Sequence, residues 1–170
     1  MTTDPHVTDG LDERSLILAL QEVTETLTAA TEPEGLPRDR DEVQGLLAAF
    51  LRAGGRDAAE LGPLDEPGQY EAARRVLAEL ARDPVTRVVA EPVLSDPPAD
   101  TRLGTELVGP SLVAMAGLVT WLQTKVDVRI KRKDGRTEFE FRVTKESAPA
   151  TVLKELAATV ARLWNGPSQP

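Results

Sequence analysis

The sequence predicts an α+β fold, an N-terminal helical segment followed by a helix–β-hairpin–helix unit. Three features lead to it. Apolar residues recur at helical spacing along most of the chain. Between residues 126 and 143 that spacing gives way to alternation around an Asp134-Gly135 pair. Between residues 91 and 105 a stretch rich in proline and aspartate separates an acidic half from a basic one.

Residues 1–11 are polar, contain Pro5 and Gly10, and lack an apolar period, so they read as a disordered tail. A first helix is expected from near Asp12, with Leu16, Ile17, Leu20, Val23 and Leu27 as one stripe. Residues Thr31 to Pro37 break it. A second helix runs from about Asp41 to Ala53, capped by Asp39 or Asp41. It buries Val43, Leu46, Leu47, Phe50 and Leu51, and Gly54-Gly55 stops it. Asp57 to Leu61 suits a short turn. A third helix covers roughly Gly68 to Arg82, with Tyr70, Ala73, Leu77 and Leu80 on one side. Asp83-Pro84 ends it and opens a short fourth helix to about Ala90, because proline fits the first helical position. The β-branched residues of Val85 to Val89 make a strand the alternative there. The divisions are therefore a helical segment 12–90, a linker 91–105, a helix–hairpin–helix domain 106–165 and a tail 166–170.

The second half opens on Leu107 to Thr124, which carries no charge. With Pro110 at the first helical position, about 15 residues remain, roughly 22 Å of helix at 1.5 Å per residue. That is short of the ~30 Å hydrocarbon core of a bilayer. Gly109, Ser111, Gly117 and Thr120 dilute it further, so a buried helix is expected and not a membrane span.

Residues 126–143 fix a hairpin register. A type I′ turn needs two residues at positive φ, which Asp-Gly supplies. A two-residue turn sets Lys133 opposite Arg136. Ile130 then faces Phe139, Val128 faces Phe141 and Val126 faces Val143. On the other face Lys131 meets Glu138, Arg129 meets Glu140 and Asp127 meets Arg142. A slip of one residue would destroy this match. A last helix spans about Ala150 to Trp164, with Val152, Leu153, Leu156, Val160 and Leu163 on one face. It and the apolar helix are available to cover the hairpin.

Composition removes several chemistries. The chain has no cysteine, hence no disulfide, thiolate metal site or cysteine nucleophile. Its one histidine, His6, lies in the polar tail, so the usual neutral-pH base and metal ligand is missing elsewhere. No serine has a histidine partner, and neither a dinucleotide fingerprint nor a phosphate-binding loop occurs. The expectation is a non-enzyme without cofactor or metal. The N-terminus lacks a signal-peptide pattern, and a soluble cytoplasmic protein is expected. The net charge is −8, which disfavours nucleic acid as a partner. Residues 1–100 hold 9 basic and 21 acidic side chains, and residues 101–170 hold 11 and 7. The first half is thus −12 and the second +4, and every lysine lies after residue 124.

The candidate interaction residues are the basic patch Arg129, Lys131, Arg132, Lys133 and Arg136, together with Trp121 and Trp164. The patch suits an acidic protein, a phosphate or a nucleic acid. Equally it suits a solvated strand face neutralised by Glu138 and Glu140. No aromatic residue interleaves it to stack on bases. The tryptophans end apolar helices and serve either the core or an interface. An isolated hairpin is marginal, so its edges call for a protein partner or a symmetric homodimer. The alternative is a monomer with edges guarded by Lys125, Lys133 and Lys145.

The segment VTWLQTKVDVRIKRKDGRTEFEFRV, with Trp121-Leu122, the Asp134-Gly135-Arg136-Thr137 turn and the following helix, resembles the effector-associated constant component family of bacterial conflict systems. The resemblance covers about residues 107–164. It implies an apolar helix, a hairpin and a final helix acting as a non-catalytic interaction component, with no active site. The expected function is thus a non-enzymatic adaptor or accessory domain in a bacterial conflict or regulatory complex. The alternative is a ligand- or nucleic-acid-binding regulator using the basic hairpin.

Overall fold

A computed structural model of the chain describes residues 8, 10–98, 109–143, 146–147 and 149–166. Residues 1–7 and 9 of the tail expected at 1–11, residues 99–105 of the linker and residues 167–170 lie outside them. The end of that tail is instead held in place: Thr8 is buried, Leu11 packs against the core, and Arg74 donates to the carbonyls of both. Helix α1 is Glu13–Thr28, opened by Asp12, whose carboxylate accepts from the Ser15 N–H at 2.7 Å. Its stripe of Leu16, Ile17, Leu20 and Val23 is buried. A 3-10 turn at Pro33–Gly35 occupies the expected breaker. Helix α2 is Arg40–Ala53. Of the two possible caps, Asp39 takes the role and accepts from Glu42 N–H at 2.9 Å. At the other end Gly54 is required by packing, since a side chain there would collide with Ala157 and sit 2.7 Å from the Leu153 carbonyl.

After a short 3-10 helix at Ala58–Leu61, helix α3 spans Glu66–Arg82. It starts two residues before the expected Gly68 because Asp65 caps it, accepting from Gly68 N–H at 2.8 Å, and Pro67 fits its first turn. Helix α4 is Arg87–Ser95. Neither the helix expected at Pro84 nor the strand alternative forms at 84–86. Asp83 instead accepts from Val85 N–H at 2.9 Å, and buried Thr86 donates to the Leu80 carbonyl at 2.6 Å. These bonds make a tight turn, and the helix begins after it. It then runs through Pro92, so residues 91–95 of the expected linker are helical. Proline removes one helical donor there, and Ala90 and Val93 to either side of it are buried.

Helix α5 is Pro110–Lys125, with Pro110 at its start as expected. Val113, Ala114, Leu118, Val119 and Leu122 are buried, and it lies against α1, α2 and α3. At Gly117 a Cβ would come within 2.8 Å of Val76, so this glycine allows α3 and α5 to approach closely. Among the described residues no helix is long and apolar enough to cross a membrane.

Strands β1 (Asp127–Lys133) and β2 (Arg136–Val143) form the antiparallel hairpin in the expected register, from Asp127↔Arg142 to Lys133↔Arg136. Asp134 and Gly135 have φ of 54° and 75°, the pair of positive values a type I′ turn demands. A short strand β3, Glu146–Ser147, adds to the far side of β2 at Arg142 and Val143, giving the order β1-β2-β3. This third strand was not anticipated. Helix α6, Ala150–Asn165, closes the chain.

The hairpin is covered differently from the expectation. Helix α6 packs on α2 and α3, and the sheet rests on α2, with the turn at Pro33–Gly35 and the end of α5 beside β1. Phe139 of β2 touches the glycine face of α2 at Gly45, and Phe141 meets Phe50 edge-on, centroids 5.1 Å apart at 70°. Such a pair contributes about 0.5–1.5 kcal/mol beyond its area. One hydrophobic core draws on α1 to α6 and on β1. The architecture is α+β, mostly helical, with the small sheet laid over α2.

Candidate interaction surface on the hairpin

Strand alternation divides the basic residues of the hairpin into two faces. Asp127, Arg129, Lys131 and Lys133 of β1 are exposed, while Val128, Ile130 and Arg132 turn toward the helices. Arg132 therefore leaves the expected patch. Its guanidinium binds both carboxylate oxygens of Glu42, Nε to Oε2 at 2.7 Å and Nη2 to Oε1 at 2.9 Å. It also donates to the carbonyls of Glu34 at 3.1 Å and Leu36 at 2.9 Å. Glu42 accepts two further bonds, from Arg38 N–H at 2.7 Å and from the Thr137 hydroxyl of β2 at 3.5 Å. The Arg132 hydrogen bonds, opposed by partial burial and helped by the Arg38 N–H, hold the Glu42 carboxyl down at about 2. Arg132 is thus a clamp between β1, the turn at Pro33–Gly35 and the start of α2.

The remaining cations share the solvent face. The side chains of Arg129 and Lys131 are 56% and 62% exposed. Lys133 and Arg136 are exposed and flank the turn. The register sets Arg129 opposite Glu140 and Lys131 opposite Glu138, but the ion pairs run otherwise. Arg142 takes Glu140 within its own strand, at 2.6 Å, and Arg129 leans to Asp127 at 3.6 Å. Lys131 reaches diagonally to Glu140 at 3.3 Å, near enough to attract although not aligned as a hydrogen bond. Arg142 first, then Lys131, lower the Glu140 carboxyl below its ordinary value. Among the described residues Lys133 and Arg136 have no acidic partner within salt-bridge range. Exposed pairs of this kind contribute about 0–1 kcal/mol, so they break readily in favour of a partner.

The tryptophans are not part of this surface. Trp164 is 0% exposed and donates Nε1–H to the Gly62 carbonyl at 3.0 Å. Arg75 secures that end of α6, donating to the Leu163 and Trp164 carbonyls, both at 2.8 Å. Trp121 is 3% exposed, with the Lys125 ammonium 5.8 Å from its ring centre. Both rings end helices whose last turns point inward, which removes the interface role. Lys125 is no edge guard either, because it pairs with Asp83 at the end of α3. Burial pushes the Asp83 carboxyl up, but the Lys125 bond and the Val85 N–H outweigh it and leave it lowered.

Sequence reasoning missed Glu42, Asp83 and Arg75. Only Glu42 left a local sign, the Asp39-x-x-Glu42 spacing of a capping box. Among the described residues no group of three acidic or histidine side chains is placed to hold a metal. The comparisons with family models, with curated proteins and with solved structures find no match.

Proposed function

We propose that the chain is a non-enzymatic adaptor or accessory domain that binds a protein partner through the solvent face and edge of its hairpin. One observation carries this reading. Arg129, Lys131, Lys133 and Arg136 stand exposed on one face of an edge hairpin whose other face is spent on the core. Weak exposed ion pairs there leave cations that a partner's acidic groups can recruit. The resemblance of the helix–hairpin–helix segment to the effector-associated constant component family supports a place in a bacterial conflict or regulatory complex in the cytoplasm.

A second reading, a regulator binding a nucleic acid or phosphate ligand, has the same cations behind it. It lacks aromatic residues on the exposed face, since Phe139 and Phe141 turn to α2.

A capture experiment from the native cell tests the proposal. The full chain is compared with a variant carrying Arg129→Glu, Lys131→Glu and Lys133→Glu. A protein held by the parent chain and lost by the variant supports the reading. An identical set of captured proteins contradicts it, and retention of nucleic acid alone favours the second reading.

A further inference from the structure

Strand direction settles which backbone groups of the hairpin are free. In a two-residue hairpin the residues flanking the turn form a hydrogen-bonded pair, and such pairs then alternate along the ladder. Lys133, Lys131, Arg129 and Asp127 therefore spend their N–H and C=O groups on β2. The groups of Val128, Ile130 and Arg132 point away from β2, across the outer edge of β1. That edge is terminal in the sheet, because β3 adds to β2 and not to β1. Among the described residues no backbone bond reaches Val128, Ile130 or Arg132 from outside the sheet. The turn at Pro33–Gly35 touches β1, but Arg132 holds it by its side chain.

The chemistry of that edge selects its occupant. A strand added beside β1 sets alternate residues against Arg129, Lys131 and Lys133 on the solvent face, and the others beside Val128 and Ile130. The chain's own β2 shows what β1 accepts on its inner side: Glu138 opposite Lys131 and Glu140 opposite Arg129, with Phe139 and Phe141 between. A second copy of β1 fits less well. The symmetric antiparallel registers centred on Arg129, Ile130 or Lys131 each set cation against cation, although the first two also set Asp127 against a lysine, and the register centred on Val128 avoids the clash only over the shorter span from Val126 to Ile130. Like charges directly opposite one another destabilise a pair of strands.

We infer that the outer edge of β1 accepts an extended segment of a partner protein with acidic residues at alternate positions and apolar residues between them. This rests on the adaptor reading and gives it a partner chemistry. Backbone bonds to Val128, Ile130 and Arg132 hold the segment, and the cation row sets its register.

The test is a titration of the isotope-labelled full chain followed by NMR, with capped peptides Thr-Glu-Val-Glu-Val-Glu-Thr and Thr-Lys-Val-Lys-Val-Lys-Thr as probes. The acidic peptide is expected to shift the Ile130 amide signal saturably and to slow its hydrogen exchange by about tenfold or more. The lysine peptide is expected to bind about tenfold more weakly or worse. Two variants separate the charge row from the backbone edge, each used only where its hairpin amide signals remain at their folded positions. Arg129→Glu with Lys131→Glu removes the charge selection, and Ile130→Pro removes the outward donor where an edge strand tolerates proline. The first is expected to lose the Ile130 shift, and the second, which has no amide at 130, to lose the saturable shifts at Val128 and Arg132. Equal effects of the two peptides, or no effect at millimolar acidic peptide, overturn the inference. Mass rising with concentration in light scattering also overturns it, since a second copy then occupies the edge. If the peptide fails while the charge-reversed chain still loses its cellular partner, strand addition falls and the adaptor reading stands.

Discussion

Arg132 and Glu42 lie 90 positions apart in the chain, and the guanidinium of one grips both oxygens of the other. The pair fastens the hairpin to the first turn of α2, and with it the orientation of the exposed cations.

Loss of either partner should loosen the hairpin without touching its solvent face. Arg132→Ala is expected to lower Tm by several degrees, whereas Lys133→Ala leaves it unchanged. Acid should reduce the difference. Glu42 has its carboxyl lowered from an ordinary 4.5 to about 2. A lowered carboxyl stabilises the fold fully above the ordinary value and loses that contribution as pH falls through the folded value. The Tm gap between the parent chain and Arg132→Ala should be complete near neutral pH and shrink from pH 4.5 toward pH 2, down to what the bonds to the Glu34 and Leu36 carbonyls contribute. Thermal melts across this range, followed by circular dichroism, check it. A gap independent of pH would contradict the clamp.

The turn offers a contrast between neighbours. Gly135 has φ of 75°, and valine there is strained by about 1–3 kcal/mol. Thr137 sits in β2, where a β-branched residue is well suited. Gly135→Val is expected to melt at lower temperature than Thr137→Val, and equal melting points would argue against the type I′ turn.

The tryptophans should behave as core residues. Trp121 and Trp164 are 3% and 0% exposed. Native fluorescence is expected to be blue-shifted and resistant to iodide, and unfolding should abolish both properties. Trp164→Ala should cost about 3–5 kcal/mol of stability, as for other large buried side chains. Ready quenching of the native protein would return a tryptophan to the surface.

The hairpin was legible because its period is two and its charges and apolar residues fall on opposite faces. Its turn, pairing and register all follow from that. The first three helices and the last were legible from their stripes, with ends shifted by a residue or two where Asp39 and Asp65 proved to be the caps. Helix α4 was not, because Thr86 bonds back to Leu80 and the helix continues through Pro92, both decided by packing. Arg132 was misgrouped by reading Lys131-Arg132-Lys133 as one patch. The alternation that gave the register already places it with Val128 and Ile130. Its partner Glu42 left only a capping signal, since no local pattern announces a contact across the fold. The covering of the sheet by α2 was hidden for the same reason. Gly45 beside Phe139 is a small residue whose purpose depends on what crosses it.

Hydrogen exchange along β1, read residue by residue, bears most directly on the hairpin as a partner-binding edge. In the chain alone, the Ile130 amide should exchange rapidly, while the amides of Arg129 and Lys131, bonded to β2, exchange slowly. In complex with the captured partner, Ile130 should become protected and the inward amides should change little. Strong protection of Ile130 in the dilute chain alone, or an Ile130 amide left unprotected in the complex, would contradict binding through this edge.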